Sequence, residues 1–500
     1  MHTLGNLKMT LNLAGIFFKQ AALTPEHPAI LGPHDHSSVS YGALREEIQT
    51  LAKQLLAAGL HPGMNIGLHY PGGQAYIAFT YAVWACGACV TPIPMELATE
   101  EKQLIFRHIA IDAVISTANC TLFTAFTVGE AIPLTEHACL LNLKALRTPP
   151  IELAGLNPAF IRFTSGTTGE AKGVILSHDS IFARIQAANQ GLQIDSNDRI
   201  VWLLSMAYHF AVSIVAYLSF GATIVLCKNS FGSTILQAAN RHQATLIYAA
   251  PTHYELMSHD RSEQTLSSLR LAIVTTAYLR PDISEAFYQR FGIAPNETYG
   301  IIEVGLPAVN LDAPKQKRGS VGKLLPSYSV KLDTPDENGI GEIMLRGPGL
   351  LDAYYQPWQA RDVILNQHGG WLATGDLGFI DEDGYLFIVG RSKEMISVAG
   401  MKFFIQEVET VLERHPAIQA ACVFAVKSRR LGETPMAHVV AADNHEPPDE
   451  DQLKKYCAEH LAAYKIPDRF HWVDSLARTA SGKLIRNTDK LLTTQKTKIL

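Results

Sequence analysis

The sequence predicts an α/β protein: a large N-terminal domain of mostly parallel sheets covered by helices, with a small β-barrel-like part, followed by a small α+β C-terminal domain. Three observations carry this. From residue 40, helical and strand periodicities alternate in the βαβ rhythm of a parallel sheet. From Gly319 to Gly390 the texture changes to short β-runs and turns such as GEIMLRG and GYLFIVG, and beyond Arg391 a strand–helix alternation restarts. The domains are therefore drawn at 1–390, with the β-rich part over 319–390, and 391–500. Five hundred residues suffice for two or three such cores.

Taken in order, Leu44, Ile48, Leu51 and Leu55 sit at helical spacing, Gly63 breaks the helix, and Ile66–His69 reads as a strand. A helix over about 73–86, a strand at Val90–Pro94, a helix over about 99–109 and a strand at Ala113–Ser116 follow. After Pro149-Pro150 comes a strand at Phe160–Phe163, then β-branched Gly173-Val174-Ile175-Leu176 as its return, and a helix from about Asp179. Strands at Ala222–Leu226, Ala244–Tyr248 and Leu271–Thr275 continue the sheet. The C-terminal block gives helices at Gln406–Arg414 and Asp451–Ala463 and strands at Ala420–Val426 and His438–Ala442. In such sheets ligands gather at the carboxyl ends of the strands.

Composition narrows the function classes. With 47% hydrophobic and 18% charged residues the chain is an ordinary globular protein, and a net charge of −5 gives no reason to expect nucleic acid as a partner. Seven scattered cysteines suggest reduced thiols and a cytoplasmic setting. Cys86 and Cys89 form a C-x-x-C with no second pair, which reads as buried structure rather than metal or redox chemistry. The apolar stretch Leu11–Phe18 ends at Lys19 without a cleavage pattern, against a signal peptide. Two uncharged runs, Pro71–Met95 and Ser205–Cys227, approach membrane-span length, but each splits into a helix and a strand, so no span is expected.

Chemistry concentrates in Phe163–Gly173, FTSGTTGEAKG. Gly166 and Gly169 free the backbone to aim several N–H groups into one concavity, while Thr164, Ser165, Thr167 and Thr168 add hydroxyls and Lys172 a mobile cation. A phosphate is the natural guest. In a Walker loop the lysine directly follows the second glycine and opens a helix; here Lys172 stands three residues after Gly169 and a strand follows, so the element is a strand–loop–strand grip. Four further clusters each put a charged residue in a turn rich in glycine or hydroxyls: Thr298-Tyr299-Gly300-Ile301-Ile302-Glu303, Gly370-Trp371-Leu372-Ala373-Thr374-Gly375-Asp376, Gly390-Arg391-Ser392-Lys393 and Arg478-Thr479-Ala480-Ser481-Gly482-Lys483.

Together with the grip, this order closely resembles the adenylate-forming superfamily of acyl- and aryl-CoA synthetases, peptide-synthetase adenylation domains and luciferases, from Leu11 to about Asn487. The resemblance implies that Thr164–Gly169 and Lys172 hold the ATP β- and γ-phosphates, that Tyr299 stacks on adenine, that Glu303 contacts Mg²⁺, and that Asp376, assisted by Arg391, binds the ribose hydroxyls. It implies that Lys483 bridges the substrate carboxylate and the α-phosphate. Lys393 then marks the hinge of a mobile C-terminal domain, and Gly400 lies beside the pantetheine tunnel. His209 corresponds to the gate of the acyl site, walled by Phe210, Ser213, Ile214, Ala277, Ile301 and Leu306.

Three departures stand out: Ile302 for the usual threonine, Thr275-Thr276-Ala277-Tyr278 for a glycine-rich turn, and Ala477 for a frequent proline. Amino-acid-activating members of the superfamily place an aspartate at the position that the resemblance matches to Phe210, and an ammonium buried there would lack a partner, so a fatty or aryl acid is the expected substrate. The expected cofactors are ATP, Mg²⁺ and CoA, or the phosphopantetheine of a carrier protein. Lys402, Lys427, Arg429 and Arg430 are candidates for the CoA 3′-phosphate or a solvated face. A nucleotide- or acyl-binding protein without turnover and a luciferase-like activity are the alternatives.

Overall fold

The computed structural model describes residues 11–33, 37–164, 172–399, 401–428, 430–443, 445–476 and 484, without the side chains of Thr164, Lys393 and Lys402. Two nine-stranded sheets build the large domain. In the first, Cys89–Pro92, Asn65–His69 and Ala113–Thr117 run parallel at the centre. Pro158–Thr164 joins Cys89–Pro92 in parallel and then turns back as the antiparallel Lys172–Ser177. In the second, Thr223–Leu226, Arg199–Trp202, Leu246–Ala249, Leu271–Val274 and Asn296–Ile301 form a parallel run.

Helices follow the apolar spacing. Tyr41–Ala57 starts where the Ser40 side chain accepts from the Ala43 N–H, and it buries Leu44, Ile48, Leu51 and Leu55 on one stripe. His178–Leu192 starts at Ser177, whose hydroxyl accepts from the Ser180 N–H. The uncharged run at Pro71–Met95 resolves into the helix Gln74–Ala85 and the strand Cys89–Pro92. Among the described residues no helix is long and apolar enough to cross a membrane. The C-x-x-C cysteines are separate buried thiols: Cys86 donates to the Ala52 carbonyl at 3.5 Å, and burial pushes its pKa up to about 11.

Between the sheets and the C-terminal domain, Ser329–Asp333, Gly341–Arg346, Leu372–Ile380 and Leu386–Arg391 form a four-stranded antiparallel meander. The small domain has its own sheet, dominated by the long hairpin Ile418–Ser428 with Gly432–Ala441, and its own core around Val408, Leu412, Val423, Val439 and Leu453.

Two readings of the sequence change. The strands Arg199–Trp202 and Pro28–Leu31 were not expected; each is a four-residue, mostly apolar run too short to show a period, and neighbours supply the pairing. The charged clusters are also not turns throughout. Tyr299 lies on the strand Asn296–Ile301, Asp376 inside Leu372–Ile380, and Arg391 ends Leu386–Arg391. Gly375, at φ +73°, bulges its strand where the register against Gly341–Arg346 shifts.

Two buried histidines set an acid limit on the fold. His178 accepts from the Leu13 N–H at 3.3 Å through Nδ1, tying the N-terminal helix Leu13–Leu23 to the helix after the hairpin. His69 contacts Ser116 Oγ at 3.1 Å. Burial pulls both imidazoles from 6.5 down to about 4. The folded chain therefore excludes protons that the unfolded chain binds below 6.5, so stability is complete above that pH and is lost as pH falls toward 4. Thermal melts across this window should show a falling Tm, and His178→Gln should flatten the fall; a Tm independent of pH there would contradict the burial argument.

Candidate active site

The strand–loop–strand reading of the grip holds at its base, where Phe163 pairs with Gly173 and Thr164 with Lys172. Ser165, Gly166, Thr167, Thr168 and Gly169 lie outside the described residues, as do the Thr164 side chain, Gly400, the Lys393 side chain and Lys483. Lys172 opens the returning strand, with its ammonium 4.6 Å over the ring of Tyr354. Tyr354 sits on the neighbouring strand, opposite Val174, and donates its hydroxyl to Glu303 Oε1 at 3.3 Å. Burial first, and the Glu303 charge second, push the Tyr354 hydroxyl well above its ordinary pKa, so it remains a donor.

Glu303 stands on the tight connection between Asn296–Ile301 and Gly305–Val309. Only glycine fits at 300, where a Cβ would meet the Gly305 carbonyl oxygen at 2.4 Å. The connection is held from behind by Arg184, a fully buried residue of the helix His178–Leu192. Arg184 donates to the Ile302 carbonyl and through Nε to the Gly349 carbonyl, each at 2.9 Å. The Leu351 N–H donates to the Glu303 carbonyl at 2.7 Å. The turn that presents Glu303 is thus fixed although Ile302 brings no hydroxyl.

On the facing side, Asp376 and Arg391 are register partners across two strands. Asp376 is buried. Its Oδ2 accepts from the Tyr299 hydroxyl at 2.6 Å, and its Oδ1 forms an ion pair with Arg391, 2.9 Å from Nε. Each carboxylate oxygen keeps a second lone pair, so the carboxylate can still accept from a ligand. The Tyr299 hydroxyl is raised well above its usual pKa, by burial and then by Asp376, and therefore stays protonated.

The acyl-wall expectations divide. His209 closes a single helical turn, its ring 6.2 Å from Trp202 and 6.1 Å from Tyr248. Ser213 and Leu306 line a small apolar pocket with Val212, Ala216, Tyr217 and Tyr248. Phe210 is a correction: it is fully buried among Tyr76, Tyr81, Trp84 and Phe160. Consecutive residues of a helical turn point about 100° apart, so His209 and Phe210 cannot share one pocket. Ile214 is likewise a core residue, Ala277 is exposed, and Ile301 is half-buried at the strand end. Sequence reading missed Arg162, Arg184, Tyr248 and Tyr354. Only Arg162 gave a local signal, as a charge within an apolar strand.

The turn at Thr275-Thr276 carries strain. Thr276 has φ +77°, a conformation that glycine adopts freely and a β-branched residue does not. Such strain costs on the order of 1–3 kcal/mol, part of which glycine returns as extra freedom in the unfolded chain. Thr276→Gly is therefore expected to raise Tm by a few degrees; an unchanged or lower Tm in thermal melts would show the turn to be relaxed.

The pattern that defines AMP-binding enzymes matches residues 17–355, and that of the AMP-binding enzyme C-terminal domain matches residues 407–483. The chain belongs to the AMP-binding enzyme family. The sulfoacetate–CoA ligase of Cupriavidus necator is 30% identical over 497 residues, covering 95% of this chain and 96% of that protein. A feruloyl-CoA synthase of Amycolatopsis is 29% identical, covering 94% and 96%. Among solved structures, the o-succinylbenzoate CoA synthetase of Bacillus subtilis in complex with its acyl-adenylate superposes with a TM-score of 0.81 at 26% identity, covering 95% of this chain and 97% of that one. The same synthetase with ATP and magnesium gives 0.81 at 25% identity, covering 95% and 99%. By class, this AMP-binding enzyme is an AMP-forming acyl- or aryl-CoA ligase.

Proposed function

We propose that this AMP-binding enzyme activates a fatty or aryl carboxylic acid, without an α-amino group, as its acyl-adenylate and then transfers the acyl group to CoA. The observation that carries the reading is the convergence of Lys172, Tyr354 and Glu303 beside the base of the grip, with a separate Tyr299–Asp376–Arg391 cluster. One cluster suits phosphates and the other a polyhydroxylated nucleoside.

In the first step a carboxylate oxygen bonds to the α-phosphorus and the bond to the pyrophosphate oxygen breaks. Both reactants are anions, so the barrier falls only if fixed cations meet the charge as it develops. Lys172 serves the leaving pyrophosphate and Lys483 the attacking carboxylate and α-phosphate. Asp376 and Tyr299 hold the ribose and adenine, with Arg391 fixing the carboxylate of Asp376. Glu303, a hard oxygen donor at a site shared with phosphates, fits Mg²⁺, which takes few protein ligands beside phosphate and water oxygens and would supply neutralising charge when bound.

The stretch Ser205–Ile214, SMAYHFAVSI, has no acidic side chain, which supports an acid without an ammonium group. In the second step the thiol of CoA displaces AMP, so no protein nucleophile is required. We place the domain boundary at Arg391, with Lys393 as the hinge that withdraws Lys483 and brings Gly400 to the thiol. Seven free thiols support a cytoplasmic setting.

The test is incubation of the protein with ATP, Mg²⁺ and a panel of fatty, benzoic, cinnamic and amino acids, with CoA or a holo carrier protein, read by mass spectrometry. AMP with an acyl-CoA is the expected product. Acyl transfer to the carrier alone would replace CoA as acceptor, and turnover confined to amino acids would overturn the substrate class.

A further inference from the structure

The strand Pro158–Thr164 carries one charged side chain into the grip. Phe160, Ile161 and Phe163 are apolar, and between them stands Arg162. Ile161 and Phe163 belong to the core on one side of the sheet, whereas Phe160 packs on Phe210 at 6.5 Å on the other. By strand alternation Arg162 shares the face of Phe160. Its guanidinium donates from one terminal nitrogen to the Tyr208 carbonyl at 2.9 Å and lies 5.1 Å over the Tyr208 ring. Its Nε is buried without a hydrogen-bond partner, and Arg162 forms no ion pair among the described residues. A second orphan belongs to the same group of rings: the hydroxyl of Tyr76, which packs on Phe210 at 5.9 Å, is also buried without a partner.

A guanidinium taken from water with no carboxylate paired to it is costly, and the carbonyl and ring contacts, with the unbonded charge of Glu303, offset only part of that cost. Burial accordingly pulls the Arg162 pKa below the ordinary arginine value, yet the group stays cationic at neutral pH. Such a side chain is compensated when a ligand brings the anion, and the planar fork matches a carboxylate or sulfonate in two parallel hydrogen bonds. The side on which the ligand arrives follows from Tyr208. Its carbonyl, which holds the guanidinium, belongs to the turn Met206–His209, and the chain runs on from there to Val212 and Ser213 of the apolar pocket, whereas the nucleoside cluster is built from Tyr299, Asp376 and Arg391.

We propose that Arg162 is the receptor for a second anionic group on the acyl substrate, so that the acid activated by this enzyme is dicarboxylic or sulfonated. The inference rests on the acid-activating reading above and names its substrate class. Three matched pairs test it in the full-length enzyme: succinate with butyrate, glutarate with pentanoate, and isophthalate with 3-methylbenzoate, each assayed by pyrophosphate exchange.

The doubly charged member of at least one pair should have a kcat/KM at least tenfold higher. Arg162→Met should raise its KM at least tenfold and leave the KM for ATP within twofold, and Arg162→Lys, which keeps the charge, should retain part of the preference. Preference for the singly charged acids would overturn the inference. So would an Arg162→Met variant with raised KM for ATP alongside every acid, which would assign the guanidinium to nucleotide phosphates. Silence with every acid would reject the ligase reading instead. Calorimetric binding of the same pairs in the presence of ATP then decides the inference alone, and equal binding within every pair overturns it.

Discussion

Asp376→Ala is expected to weaken ATP binding about 100-fold and to lower Tm together. In the native site one carboxylate accepts from the Tyr299 hydroxyl at 2.6 Å and is ion-paired with Arg391, whose Nε lies 2.9 Å away, and in the proposed complex it also accepts from the ribose. Charge-assisted hydrogen bonds contribute about 1.5–3 kcal/mol each, and about 1.4 kcal/mol is a tenfold change in affinity, so losing two ribose contacts reaches about two decades. The stability loss comes chiefly from the buried Tyr299 hydroxyl left without its acceptor. Arg391 contributes less, because its side chain keeps 36% of its surface exposed and water screens it. Asp376→Asn keeps the volume and one acceptor, and should fall between. Calorimetric titration of ATP and thermal melts read the two effects separately; a variant that binds ATP with native affinity would remove Asp376 from the nucleotide site.

Lys483→Ala is expected to divide the two half-reactions. A fixed positive group at the developing charge contributes about 10²–10³-fold when one such donor is removed, so adenylation should fall by at least that factor. Thioester formation from a supplied acyl-adenylate needs no cation between carboxylate and α-phosphate and should stay within a few-fold of the native rate. Single-turnover assays of each half-reaction make the comparison. Equal loss in both would contradict the role given to Lys483 and leave it a structural residue of the C-terminal domain.

Much of this site was legible in the sequence because its chemistry is written locally. The glycines around Glu303, Asp376 and Arg391 mark positions where the chain turns or bulges beside a charge. The helices with one apolar stripe, such as Tyr41–Ala57, were equally plain, since burial follows the 3.6-residue period. The misreadings arose where a contact decides what a residue does. Phe210 and His209 are neighbours in the chain, but Phe210 packs into the core against Phe160 while His209 lies against Trp202 and Tyr248. Arg184 binds the Gly349 carbonyl across 165 residues, and no local pattern announces that a helical arginine will hold the turn bearing Glu303. Arg199–Trp202 becomes a strand because the neighbours Thr223–Leu226 and Leu246–Ala249 pair with it.

The claim on which the rest depends is that the acid is activated at the α-phosphate before any thiol enters. The decisive measurement is exchange of labelled pyrophosphate into ATP, with Mg²⁺ and an accepted acid present and CoA absent. Exchange that requires the acid and is lost in Lys483→Ala is the predicted result. No exchange until CoA is added, or ADP and phosphate in place of AMP and pyrophosphate, would contradict the account.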